Sequence, residues 1–119
     1  MTAERLLAAV GCLYGAAGVA LLSVASHGAW PSVNYAAIMV LAHAAALVSV
    51  AAALKAGLIQ QRRLALLAAF VLAGAVALFA GDVTLHAITG ERLFPMAAPA
   101  GGSISIVAWL LLGLSALLG

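Results

Sequence analysis

Four side chains of this 119-residue sequence could do chemistry in an apolar setting: His27, His43, Asp82 and His86. A carboxylate placed mid-helix in hydrocarbon costs about 2.5 to 3.5 kcal/mol on insertion scales unless it is neutralised or paired, so Asp82 needs a partner. His86 follows four residues later on the same helical face and would suit a hydrogen-bonded pair. The other solutions are a protonated Asp82 or an ion pair with Arg92 reaching inward from the loop that follows. His43 sits about nine residues from one end of its helix, a depth of roughly 14 Å. Asp82 lies about six residues in from the same side, and His27 closes the preceding apolar segment. The spacing therefore predicts that these four residues, drawn from three helices, converge in one half of a bundle.

Such a cluster has two kinds of use. Imidazoles with a carboxylate suit zinc, copper or iron, or a proton relay. The same groups also serve as interhelical glue, with His43 making a plain hydrogen bond and His27, next to Gly28, satisfying carbonyls freed at a helix end. No HxxxH or HExxH spacing is present, so we assign no metal ligand and no cofactor. Nothing resembles a Ser-His-Asp or Cys-His array, a phosphate-binding loop or a dinucleotide fingerprint. We assign no catalytic residue and do not read the chain as an enzyme. The Pro99-x-Gly101-Gly102-Ser103 turn could cradle an anion at a helix start, but it lacks clustered Lys or Arg and reads as an ordinary helix opening.

The elements that must position these residues are apolar helices. The sequence is 67% hydrophobic and 7% charged, against roughly half apolar in a soluble domain, which excludes a soluble fold. Four stretches approach the about 20 apolar residues that cross a bilayer: 5–25, 34–55, 64–88 and 101–118. Residues 26–33, with His27, Gly28 and Pro31, and residues 89–99, with Gly90, Pro95 and Pro99, break the pattern and read as connections. The first apolar run follows Arg5, and Ser23-Val24-Ala25 resembles a leader cleavage site. We read it as the first span. The expected fold is all-α, one domain over 1–119, an integral membrane antiparallel four-helix transmembrane bundle with up-down-up-down order.

Charge sets the expected orientation. Arg5, Lys55, Arg62 and Arg63 fall on one side and Arg92 on the other, which puts both termini in the cytoplasm. Trp30, Tyr35 and Phe94 then mark the outer interface. Five Lys or Arg residues are too few for a phosphate-binding stripe, so nucleic acid is not a partner. The lone Cys12 forms neither a disulfide nor a thiolate cluster within one chain. Helices in lipid associate through close backbone approach at small residues. Gly11 and Gly15 form a GxxxG step, a small-residue ridge on the third helix ends at Gly81, and Gly101 and Gly102 open the fourth. Trp109, inside the fourth span, fills the bundle or meets a partner.

Several of these segments also resemble a family. Leu78-Phe79-Ala80-Gly81, then Pro99-Ala100-Gly101-Gly102-Ser103, then Ala108-Trp109 are similar, without a gap, to the closing third of the small bacterial four-helix proteins catalogued as domain of unknown function 423. Ser26-His27-Gly28 resembles the family's alanine-histidine-glycine end of the first helix, and Leu41-Ala42-His43 with Ala46-Leu47 its histidine-containing second helix. Two features depart from the pattern: a short first loop, and Asp82 where the family usually carries serine or another small residue. The resemblance implies the four-span architecture and the bacterial inner membrane, and no activity.

With small-residue helix faces and no soluble domain, the expected role is a structural or accessory subunit. It would pack against a larger membrane complex of respiratory or photosynthetic type, with lipid and other membrane subunits as partners. The alternatives are a homo-oligomeric transporter or proton-conducting protein lined by Asp82, His86 and His43, or a metal-handling membrane protein.

Overall fold

The computed structural model describes residues 1–28 and 30–119; Ala29, in the first expected connection, lies outside the described residues. The described residues form four helices: α1 Ala3–Ser26, α2 Val33–Lys55, α3 Arg62–Thr89 and α4 Ala97–Leu117. All four are long and apolar enough to cross a membrane. At 1.5 Å per residue even α4 spans the roughly 30 Å of hydrocarbon, and the 28 residues of α3 exceed it.

The helix ends follow from local chemistry. Thr2 caps α1 by accepting a hydrogen bond from the Arg5 amide at 3.2 Å, which satisfies one of the first-turn donors. After α2, Gly57 takes φ +79°, and the amides of Gly57 and Leu58 return to Leu54 and Ala53, a paired C-terminal closure that needs a left-handed residue. Gly90, at φ +78°, ends α3 by donating to the His86 carbonyl at 2.9 Å.

The fourth helix begins at Ala97, four residues before the expected start at 101. Pro99 is therefore part of its first turn and not of the connection. A first-turn proline loses no intrahelical bond, because amides there have no partner in any case. The chain enters this turn through Met96, the one described non-glycine residue with positive φ, at 69°.

Consecutive helices run antiparallel. Glu4 at the start of α1 binds Arg62 at the start of α3, and the C-terminal Gly119 lies beside Gln60 and Gln61, so both termini and the α2–α3 turn share one end. The α3–α4 connection lies at the other. α1 packs along α2, α2 against α3 and α3 along α4, with a narrower contact between α1 and α3; no described Cα of α4 comes within 8 Å of α1 or α2. Eight of the ten buried positions of α3 are alanine or leucine, including Ala65, Ala69, Leu72 and Ala73 at helical spacing. Short side chains let the helices approach closely, and dispersion accumulates over these contacts.

Candidate functional site: two polar latches between helices

Asp82 is fully buried, with 0% of its side chain exposed, and pairs with Arg92 at 2.7 Å. Its second oxygen accepts the Leu93 amide at 2.9 Å. Of the three solutions open in the sequence, the loop arginine is the one adopted. The carboxylate thus ties the α3–α4 connection back onto α3, and Arg92, 44% exposed, keeps its remaining donors toward the surface. Each carboxylate oxygen has a donor, and one of the donors is charged, which is what a buried carboxylate requires.

His43 is 8% exposed and forms the second latch. Its Nδ1 lies 2.7 Å from the Met39 carbonyl, and its Nε2 lies 3.0 Å from the Trp109 indole Nε1. Indole nitrogen only donates, so Nε2 accepts and Nδ1 carries the proton that goes to Met39. The network thereby assigns a neutral imidazole with both nitrogens occupied. The rings are tilted, 5.8 Å between centroids. This contact joins α2 to α4 across a gap their backbones do not close, so the long indole does what small residues do elsewhere.

The two remaining residues of the expected cluster stand apart. His27 directs Nδ1 to the Ser23 carbonyl at 2.8 Å and caps the end of α1. His86 is exposed on α3; its carbonyl receives Gly90, and Asp82 takes its donors from the loop. Among the described residues, no group of three or more His, Cys, Asp or Glu side chains is placed to hold a metal ion. Cys12 is exposed on α1.

Packing glycines divide by neighbour. A Cβ on Gly11 would stand 2.8 Å from a Val48 methyl and 2.9 Å from the Ala44 carbonyl, and one on Gly101 would stand 2.7 Å from the Ala75 carbonyl. Gly15 and Gly81 have only ordinary contacts, at 3.9 Å to Ala44 and 3.8 Å to Leu93, and Gly102 has none within 4 Å.

Three contributors lie outside the sequence-based set. A Cβ on Gly18 would stand 2.5 Å from the Leu41 side chain, and the seven-residue step from Gly11 is the signal that would have found it. The Tyr14 hydroxyl donates to the Ala73 carbonyl and joins α1 to α3. The Thr84 hydroxyl is buried without a hydrogen-bond partner among the described residues, beside an apolar groove of about 480 Å³ between α1 and α3.

A search among curated proteins and one among solved structures each found no match. A family model, described as protein of unknown function (DUF423), matches residues 14–102. The matched range includes His43, Asp82 and Arg92 and ends before Trp109, so only one side of the α2–α4 latch falls within it. Because that match covers well over half of the sequence, the chain belongs to the DUF423 family of proteins of unknown function.

Proposed function

We propose that this chain is a multi-pass protein of the bacterial inner membrane whose role is structural: a small accessory subunit that packs against a larger membrane assembly. The observation that carries this reading is the way the two buried ionisable side chains of the bundle are spent. Asp82 is closed by Arg92 and Leu93, and both nitrogens of His43 are closed by Met39 and Trp109. A transport path needs polar groups free to exchange partners with a substrate or proton. Here the polar groups instead fix the relative positions of α2, α3 and α4. What the molecule offers outward is apolar, including Leu13, Ile38, Leu67, Ile106, Val107 and Leu110, a surface suited to lipid and to other helices.

The test is gentle extraction of the native, untagged protein with its membrane neighbours, followed by the mass and composition of the particle that contains it. The expected result is a particle much heavier than this chain, with a fixed ratio to other membrane subunits. A small homogeneous particle made only of this chain would sink the accessory role and favour the homo-oligomeric transporter, to be assayed by proton or ion flux in Asp82→Asn and His43→Ala.

A further inference from the structure

The end of the bundle that carries both termini holds three basic side chains with no acidic partner among the described residues: Arg5, Lys55 and Arg63. Two of them, Arg5 and Lys55, line one groove of about 380 Å³ between the start of α1 and the end of α2. Its inner wall is apolar, formed by Ala8, Val48 and Ala52 among others. Glu4 contributes the carboxylate at this groove, and both its oxygens are held by Arg62, so the mouth keeps a positive charge from Arg5 and Lys55.

The groove has a cause in the packing. At Gly11 the backbone of α1 comes so near α2 that a Cβ would collide with Val48 and Ala44. One turn toward the N-terminus the groove is lined by Ala8 and Ala52, whose short side chains leave the space between α1 and α2 unfilled. From Lys55 down to Val48 is seven residues, a descent of roughly 10 Å along the helix axis. A cationic mouth above an apolar trough of that depth matches an amphiphile that has an anionic head and a hydrocarbon tail. Basic pockets between membrane helices recognise anionic lipid headgroups in this way.

We propose that the α1–α2 groove is a binding site for one anionic phospholipid, with the headgroup phosphate between Arg5 and Lys55 and an acyl chain along Ala8, Val48 and Ala52. The site rests on the membrane reading above and is independent of the accessory role. A free phosphate would engage the mouth alone and leave the apolar trough without a role, which is why the lipid is the occupant.

The full chain, purified in a mild neutral detergent, is titrated with dioleoylphosphatidylglycerol and separately with dioleoylphosphatidylcholine, and bound lipid is counted by native mass spectrometry. The expected result is one retained phosphatidylglycerol and a marked preference over phosphatidylcholine. Each basic side chain at a membrane surface contributes about fivefold, so Arg5→Gln with Lys55→Gln should weaken retention roughly thirtyfold, while Arg63→Gln leaves it unchanged. Ala52→Phe, which fills the trough and keeps both charges, should also release the lipid; circular dichroism confirms that each variant stays helical. Equal retention of the two lipids overturns the site, as does retention unchanged in the charge pair. Loss in the charge pair with full retention in Ala52→Phe would leave only diffuse surface attraction. Displacement by millimolar inorganic phosphate would make it a phosphate site. A chain washed off membranes by alkaline carbonate would overturn the membrane reading and this site together, whereas an embedded chain without lipid preference overturns the site alone.

Discussion

Asp82 and Arg92 are not equivalent halves of their pair. Asp82 has no exposed surface and Arg92 is nearly half exposed, so removing one partner strands a different group in each case. Arg92→Gln leaves a buried carboxylate with only the Leu93 amide, and the loss of one partner of a buried pair costs about 3 kcal/mol. Asp82→Asn frees a guanidinium that can turn to water or headgroups, and an amide oxygen still accepts from Leu93, so the cost is about 1 kcal/mol. The double variant should resemble Asp82→Asn alone, since no charge is then stranded. Reversible unfolding in mixed micelles measures all three. Equal costs for the two single changes would mean the carboxylate is not held as the geometry has it. The sequence narrowed Asp82 to three solutions and could not choose, because the choice lies in the path of the loop that brings Arg92 and Leu93 back over α3. For His43 it offered an interhelical hydrogen bond without the donor. Trp109 is 66 residues away, on a helix whose backbone never nears α2, and no periodicity encodes such a reach.

At the scale of the helix, composition located all four elements and their order, because an apolar run of membrane length has few other folds available. Boundaries were less legible where one residue type serves two purposes: Pro99 breaks a helix interior yet fits a first turn, and only the left-handed turn at Met96 decides between them. Glycine has the same ambiguity. Gly11 and Gly15 read alike in the sequence, and Gly101 and Gly102 are adjacent, but one member of each pair touches a facing backbone or side chain closely and the other does not. Gly101→Ala should therefore destabilise α3–α4 packing by about 1 to 3 kcal/mol through overpacking. Gly102→Ala should be neutral or stabilise by up to about 1 kcal/mol, the helix-propensity difference. The same unfolding measurement separates them, and similar effects at both positions would show that α4 does not approach Ala75 and Phe79 at Gly101.

For the whole molecule, the distribution of charge argues an orientation. Of the five Lys and Arg residues, Arg62 and Arg92 have carboxylate partners; the other three, Arg5, Lys55 and Arg63, gather at the end that holds the termini. Positive residues favour the cytoplasmic side during insertion, so the proposed orientation has both termini inside, and the lipid groove then opens to the leaflet whose surface is anionic. In a Cys12→Ser background, an impermeant maleimide applied to intact cells with a permeable outer envelope should label Glu91→Cys and should reach Gln60→Cys only after the inner membrane is opened. The reverse pattern would place the termini outside and turn the groove toward the other leaflet. The count also predicts how firmly orientation is held. Four basic residues face one, and Arg5→Gln with Lys55→Gln reduces this to two against one. With Arg62 and Arg63 against Arg92 the remaining bias is a single residue, and the same labelling should then detect a fraction of inverted chains. If that variant stays uniformly oriented, insertion is governed by something other than the basic residues, such as docking of α1 onto a neighbouring subunit during assembly.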